Sequence, residues 1–321
     1  MKTVSELTDF YYKKLYPILQ DLEKDRKVIN SKLITRCGIT TFIAIILAVI
    51  FQKNHFQTDS FIFLGVIYII AIAIIYKMLI MDYTKKFKDH IMRPLIYAID
   101  KNLSYNPNSH VSSSHFREAQ LFQGKADRVL GNDLVRGKIN DVSIEFSDLT
   151  VQQITGENDN GDKNYKTIFQ GLYIVSEFNK NFHGRTKVLP DTAQKIFGDY
   201  LGHILQDTTY TAEKLVKMDS IAFEKEFVVY SNDQIEARYI LTPTMMEKIL
   251  ELKKRAKHPV SIAFINKNIH IAIEYNKDLF EPSVFHSLLE YKIAMEYIQT
   301  LHLAIGVIEE LQLNQKLWSK L

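Results

Sequence analysis

Hydrophobic positions crowd into two runs near the N-terminus, residues 33–51 and 61–81, with only the polar stretch 52–60 between them. The second run has 21 residues, and as a helix rising about 1.5 Å per residue it reaches about 31 Å, the hydrocarbon thickness of a bilayer. The first is interrupted by Arg36, leaving 15 uninterrupted residues from Cys37 to Phe51. Arg36 lies near one end, where its aliphatic stem can snorkel toward water. With so short a connection the two helices must be antiparallel neighbours, so the pattern predicts a transmembrane helical hairpin.

Helical periodicity continues on either side. Residues 5–32 place Leu7, Phe10, Leu15, Ile18, Leu19 and Leu22 on one stripe, and Pro17 predicts a kink or a helix in two pieces. In residues 82–103 the stripe is Tyr83, Phe87, Ile91, Leu95 and Ile99, with a second kink expected at Pro94. These two amphipathic helices should pack on each other. Residues 104–114, rich in Asn and Ser around Pro107, read as a linker.

From His115 onward the period shifts to alternation. Val142, Ile144, Phe146, Leu149 and Val151 precede the polar tip 156–164. Phe169, Tyr173 and Val175 then alternate with Ile168, Leu172, Ile174 and Phe178, which predicts a long antiparallel hairpin. A third strand is expected through Ile221, Phe223, Phe227 and Val229. A helix follows, opened by Thr242-Pro243 and closed by Lys253, Lys254 and Arg255. Val260, Ile262 and Phe264 pair with Ile269, Ile271 and Ile273 across 266–268. A last helix is expected from about Pro282 to Lys316, long enough to pack beyond its own sheet, with Trp318 between Lys316 and Lys320 at headgroup level. The fold class is therefore α+β. Its expected parts are a cytoplasmic amphipathic helix (1–32), the transmembrane hairpin (33–81), a cytoplasmic helix (82–103), the linker (104–114), a mainly antiparallel sheet domain with covering helices (115–281) and a long C-terminal helix (282–321).

Charge adds an orientation. Lys24, Arg26, Lys27, Lys32 and Arg36 precede the first span, and Lys77, Lys85, Lys86, Lys88 and Arg93 follow the second, whereas the connection offers only Lys53 and His55. Basic flanks stay on the cytoplasmic side, so both termini are expected in the cytoplasm. Lys32, Arg36, Lys77, Lys85 and Lys86 are the flanking residues expected to anchor at anionic headgroups. The net charge of +3 is largely explained by these flanks, and nothing asks for nucleic acid. The single cysteine, Cys37, excludes an internal disulfide and a thiolate metal cluster and fits a reducing compartment. A cleavable leader is not expected, because about 32 mostly polar residues precede the first apolar run.

Catalytic patterns are scarce. No glycine-rich phosphate loop, Gly-x-Ser-x-Gly elbow or HExxH occurs. His183, His203, His270 and His302 are dispersed and read as surface or satisfied interior residues. Glu224 and Glu226 read as a solvent face. The tip with Asp159, Gly161 and Asp162 misses calcium-loop spacing, so neither a metal nor another cofactor is expected. Two constellations remain as binding candidates. In the first, Asp219, Asp233, Glu236, Arg238 and Tyr239 lie near a helix start, where an ion pair or an anion site can form. In the second, 182–186, Gly184 permits a tight turn that presents Arg185 at its edge. For each, a structural turn is the simpler reading.

The strings FEKEFVVYSNDQIEARYILTPTMMEKIL (223–250) and FQGLYIVSEFNKNFHGRTKVLP (169–190) resemble the bacterial domain-of-unknown-function family 3137 over roughly residues 30–275. The resemblance implies two spans near the N-terminus followed by a cytosolic α+β domain in the inner membrane, and it implies a LemA-type membrane protein as a partner. It brings no activity. The combined reading is a membrane-anchored binding or scaffold domain that assembles with another membrane protein and self-associates through its long helices. The competing reading is an enzyme or ligand sensor acting on a lipid headgroup or membrane-proximal substrate. A transporter is disfavoured, because two spans without interior polar residues line a pathway only if many copies assemble.

Overall fold

The computed structural model describes residues 2–54, 56–158, 160–178, 181–191 and 213–311, and the chain divides into two compact units. The expectations for Trp318, Lys316, Lys320, His203, Asp159 and His55 lie outside the described residues.

The first unit comprises residues 2–98 and 281–298. Helix α1 (Val4–Lys14) opens with a capping box, in which the Thr3 hydroxyl accepts from the Glu6 amide at 3.2 Å and the Glu6 carboxylate accepts from the Thr3 amide at 2.7 Å. It stops at Leu15 because Pro17 stands in the first turn of α2 (Tyr16–Lys53), where its missing N–H costs nothing. The expected break at Pro17 is therefore present as two pieces. Helix α2 runs back along α3 (Thr58–Phe87), and the Thr41 and Tyr68 hydroxyls meet at 2.9 Å. Almost no side chain in the apolar stretches of α2 and α3 is buried; Ile34, Phe42, Ile62, Phe63 and Ile69 are all exposed. Lys32, Arg36, Lys77, Lys85 and Lys86 are exposed as well, Lys86 pairing with Asp25 at 2.7 Å.

Below the apolar stretches the same unit has a packed core of Leu7, Tyr11, Leu19, Leu22, Tyr83 and Phe87. After α3 the backbone widens into a π-helical turn (Lys88–Met92) before α4 (Arg93–Ile99). Pro94 lacks an N–H and its ring crowds the carbonyl four residues back, so a widened preceding turn relieves the conflict expected at this proline.

Residues 282–290 were expected to be helical, yet the final helix α9 (Tyr291–Glu310) begins only at Tyr291. The intervening stretch is a strap held by side chains of the helices. Its carbonyl oxygens at Glu281, Ser283, Val284 and Leu288 accept from the Tyr297 hydroxyl (2.8 Å), the Tyr83 hydroxyl (3.3 Å), the Arg26 guanidinium (2.8 Å) and the Tyr11 hydroxyl (3.1 Å). Lys88 pairs with Glu281, and Ser287 donates to Glu23. Burial pushes the Tyr11 and Tyr83 hydroxyls well above their ordinary range, which keeps them as donors. Two of the basic residues read as membrane flanks, Arg26 and Lys88, are thus interior here. Their periodicity already placed them beside the apolar stripe, but a charge count alone cannot separate a surface cation from one that binds carbonyls.

Arg26 grips Glu23 through two bonds (2.7 and 2.8 Å), both side chains being buried. Arg26→Met would leave a buried carboxylate with Ser287 as its remaining partner, at a cost of about 3 kcal/mol. The expected readout is faster amide exchange across 281–290; unchanged exchange would show that the strap is held by packing alone.

The second unit comprises residues 99–280 and those from 299 onward. It carries one antiparallel sheet of nine strands in the order β1-β2-β3-β4-β9-β8-β5-β7-β6 among the described residues. In chain order these are β1 (Leu103–Asn106), β2 (Arg128–Ile139), β3 (Val142–Glu157), β4 (Lys163–Glu177), β5 (Arg185–Pro190), β6 (Lys214–Val216), β7 (Phe227–Ser231), β8 (Val260–Ile265) and β9 (Asn268–Glu274). The long β3–β4 hairpin and the β8–β9 hairpin stand where alternation put them. The stretch whose composition suggested a linker contains β1, an edge strand.

Residues 221–224 form a helical turn α6 (Ile221–Glu224) instead of the start of the third strand. Ser220 caps it, accepting from the Phe223 amide, and the strand begins at Phe227. The remaining helices are α5 (Ser113–Ala119), α7 (Gln234–Ile240) and α8 (Pro243–Ala256). Helix α8 has the expected Thr242 cap and buries Met245, Met246, Ile249 and Leu252.

Ile262, Phe264, Ile269, Ile271 and Ile273 are all fully buried on one sheet face. The opposite face holds a second cluster with Phe116, Phe169, Tyr173, Val175 and Tyr230. His270 and Lys187 share that second face with the cluster.

Candidate functional site

Helix α7 is only seven residues long and is built on its cap. Asp233 accepts from the amides of Ile235 (3.0 Å) and Glu236 (2.9 Å), which uses its carboxylate to start the helix. One turn on, Glu236 is buried and accepts from the backbone amides of His183 (3.1 Å) and Gly184 (2.7 Å). Asn232 accepts from the Arg185 amide at 2.7 Å. The two sequence candidates therefore meet: the 182–186 turn is stitched to the 232–236 cap. A side chain at Gly184 would crowd Asn232 Oδ1 (2.6 Å) and Asp233 Cβ (3.0 Å), which accounts for glycine there. Arg238 and Asp219 are exposed, and Tyr239 is half-buried. The Arg185 side chain turns away toward Gln120 and Glu213.

Glu236→Ala removes the acceptor of two amides, each bond to a charged group contributing about 1.5–3 kcal/mol. Loss of protection at the His183 and Gly184 amides is expected, with Glu236→Gln about half as damaging. Equal protection in all three proteins would refute the stitch.

Sheet register assembles a second group that no sequence motif announces. Cross-strand partners share a face, and one rung carries Glu145, Val175, His270, Ala263, Lys187 and Tyr230 across β3, β4, β9, β8, β5 and β7. Helix α5 lies over the rung. Its His115 pairs with Glu145 at 2.7 Å, and its backbone carbonyl accepts from the Tyr173 hydroxyl at 3.1 Å. The same hydroxyl lies 3.1 Å from His270 Nδ1. A carbonyl can only accept, so the single tyrosine proton goes to His115, and His270 Nδ1 must donate. A neutral imidazole in that tautomer leaves Nε2 as a bare acceptor.

His270 is fully buried, and its Nε2 has no hydrogen-bond partner among the described residues. Burial, reinforced by the charges of His115 and Arg185, pushes its pKa down to about 3. His115 moves the other way, raised by its bond to Glu145. Glu213 sits 2.8 Å from the buried Lys187 ammonium of β5 and 3.6 Å from Arg185. Burial still lowers Lys187 despite that partner. Arg185 Nε is likewise buried without a partner among the described residues. The arrangement offers a buried acceptor, a buried donor and two cations against one carboxylate.

Of the named residues, sequence reasoning singled out Arg185 and treated His270 as an isolated histidine. The available signal was parity, since Ile269, Ile271 and Ile273 point to one face and leave His270 on the other. His183 is exposed, and His302 lies 3.1 Å from Arg255.

Comparison with known proteins adds three findings. No curated protein matches the chain. The crystal structure of the mycobacterial trehalose monomycolate transport factor A, TtfA, is similar over 66% of this chain and 92% of that chain, at 10% identity and a TM-score of 0.34. The family model described as "Protein of unknown function (DUF3137)" matches residues 167–313. That span takes in most of β4, β5 through β9 and all of α9, together with both strings that carried the resemblance, and leaves the hairpin outside. Over residues 167–313 the chain is similar to the DUF3137 family of proteins of unknown function.

Proposed function

We propose that this protein is a membrane-anchored binding module: a two-span hairpin in the bacterial inner membrane, with both termini cytoplasmic, carrying a cytoplasmic sheet domain that assembles with another membrane protein. One observation carries the reading. The apolar side chains of α2 and α3 are exposed along their upper lengths, whereas the lower lengths of the same helices are packed and strapped by 281–290. A soluble helical pair would bury that apolar surface, because leaving it in water costs about 25 cal/mol per Å². The side chains proposed from sequence, Asp233 and Glu236, are engaged with backbone amides, which supports binding through surfaces over catalysis.

The second reading, a ligand sensor, is favoured by the unpartnered Arg185 Nε and His270 Nε2 among the described residues. Purification of the full chain from membranes in mild detergent, followed by mass determination of the intact complex, separates the two. A stoichiometric membrane-protein partner, of which a LemA-type protein is the one implied by the family resemblance, or a defined homo-oligomer is expected. A monomer carrying a bound small molecule would overturn the scaffold reading in favour of the sensor.

A further inference from the structure

The strap carries a feature that its hydrogen bonds do not use. Phe285 is 64% exposed, although Pro282, Val284 and Leu288 beside it are buried inward. Its ring is held outward by a tight turn in which the Ser283 hydroxyl accepts from the amides of Phe285 (3.2 Å) and His286 (2.9 Å). The position of that turn along the hairpin is fixed by the two neighbouring carbonyls, Ser283 bound by Tyr83 and Val284 bound by Arg26.

Those two helix positions lie at the lower edge of the exposed apolar belt. Asp25 pairs with Lys86 and Thr41 with Tyr68, so the antiparallel register sets Val28 against the end of α3 near Met81. Val28 and Met81 are 52% and 62% exposed. Each is two residues from the side chain that grips the strap, about 3 Å along the axis. Near this level the helices carry the exposed cations Lys27, Lys32, Lys85 and Lys86, beside exposed Asp82 and with Asp25 paired to Lys86.

We infer that the strap is a third membrane contact, with Phe285 seated among the headgroups of an anionic bilayer. The inference rests on the membrane-anchored reading. An aromatic ring held outward on a braced loop, level with the basic flanks of two apolar helices, is the chemistry of an interfacial anchor. The loop is not helical because its backbone carbonyls are taken by the helices, so it presents the ring without spanning.

The test uses the full-length chain in vesicles of phosphatidylethanolamine and phosphatidylglycerol, with the one native tryptophan removed (Trp318→Phe) and a new one placed by Phe285→Trp or, separately, by Phe63→Trp. Lipids brominated at shallow or deep acyl positions report depth. The expected result is blue-shifted emission from the F285W protein, quenched more strongly by shallow than by deep bromine, with the F63W protein quenched by deep bromine. Water-like, unquenched emission from F285W beside quenched emission from F63W would overturn the inference and leave the anchored reading intact. Loss of quenching in both proteins would overturn both.

Discussion

Gly171→Ala is expected to cost at least about 3 kcal/mol and to abolish cooperative folding of the sheet unit. Gly171 sits in the middle of β4, opposite Glu274 of β9, with φ of 153°. An added Cβ there would collide with the Ile273 carbonyl oxygen and approach the Tyr275 nitrogen at 2.8 Å. Both are backbone atoms, so no rotamer change relieves the clash, and β9 must move away from the strand that joins the β1–β4 half of the sheet to the rest. The Tyr275 amide bonds the Gln170 carbonyl beside this point, and displacement would break that bond as well. Circular dichroism and protease resistance of the purified chain report the outcome. Near-normal stability would mean that β4 and β9 are not as closely apposed as described.

The second large effect is a pH dependence centred on His270. Its pKa is about 3 in the folded chain against an ordinary 6.5. Between those values the unfolded chain binds a proton that the folded chain refuses, so stability falls as pH falls through that window. The slope approaches about 1.4 kcal/mol per pH unit for one group, which integrates to about 2 kcal/mol between pH 6.5 and 4.5. His115 has the opposite sign: its folded pKa is raised by Glu145, so the stability it contributes is present below 6.5 and is lost as pH rises through the folded value. The lowered carboxylates Glu23 and Glu177 lose their contribution only as pH falls below their ordinary value of 4.5.

His270→Gln keeps a donor for the Tyr173 hydroxyl and removes the titration. Amide protection of β4 and β9, followed from pH 7 to 4.5, should decline in the native chain and flatten in the variant. An identical decline in both would show that His270 is not the group that titrates.

Much of the architecture was legible from period and punctuation. The change from helical spacing to alternation separated the hairpin from the sheet. Pro17, Thr242-Pro243 and the polar tip at 156–164 marked real boundaries. Failures came where a short polar signal outweighed the apolar pattern. Ser220 caps a helical turn that alternation read as strand, and β1 forms from an Asn- and Ser-rich stretch because the edge of β2 offers it partners. Residues 282–290 satisfied helical spacing, but their carbonyls are bound by Tyr11, Tyr83 and Arg26, residues far away in sequence. The His270 group was illegible for a similar reason. Its members come from α5 and from β3, β4, β9, β5 and their neighbours, and only the strand order makes them adjacent. The β2–β3 turn was available and overlooked. Asn140 and Asp141 both have positive φ, the two-residue hairpin geometry that such residues favour.

The central claim is that α2 and α3 cross a membrane with the sheet domain on the cytoplasmic side. Its most direct test is a pair of cysteines in a Cys37→Ala background, Asn54→Cys in the connection and Lys254→Cys on the exposed side of α8. Intact spheroplasts are treated with a membrane-impermeant maleimide before and after lysis. The account predicts that position 54 labels before lysis and position 254 only afterwards. Labelling of both positions only after lysis, or of position 254 in intact cells, would contradict it.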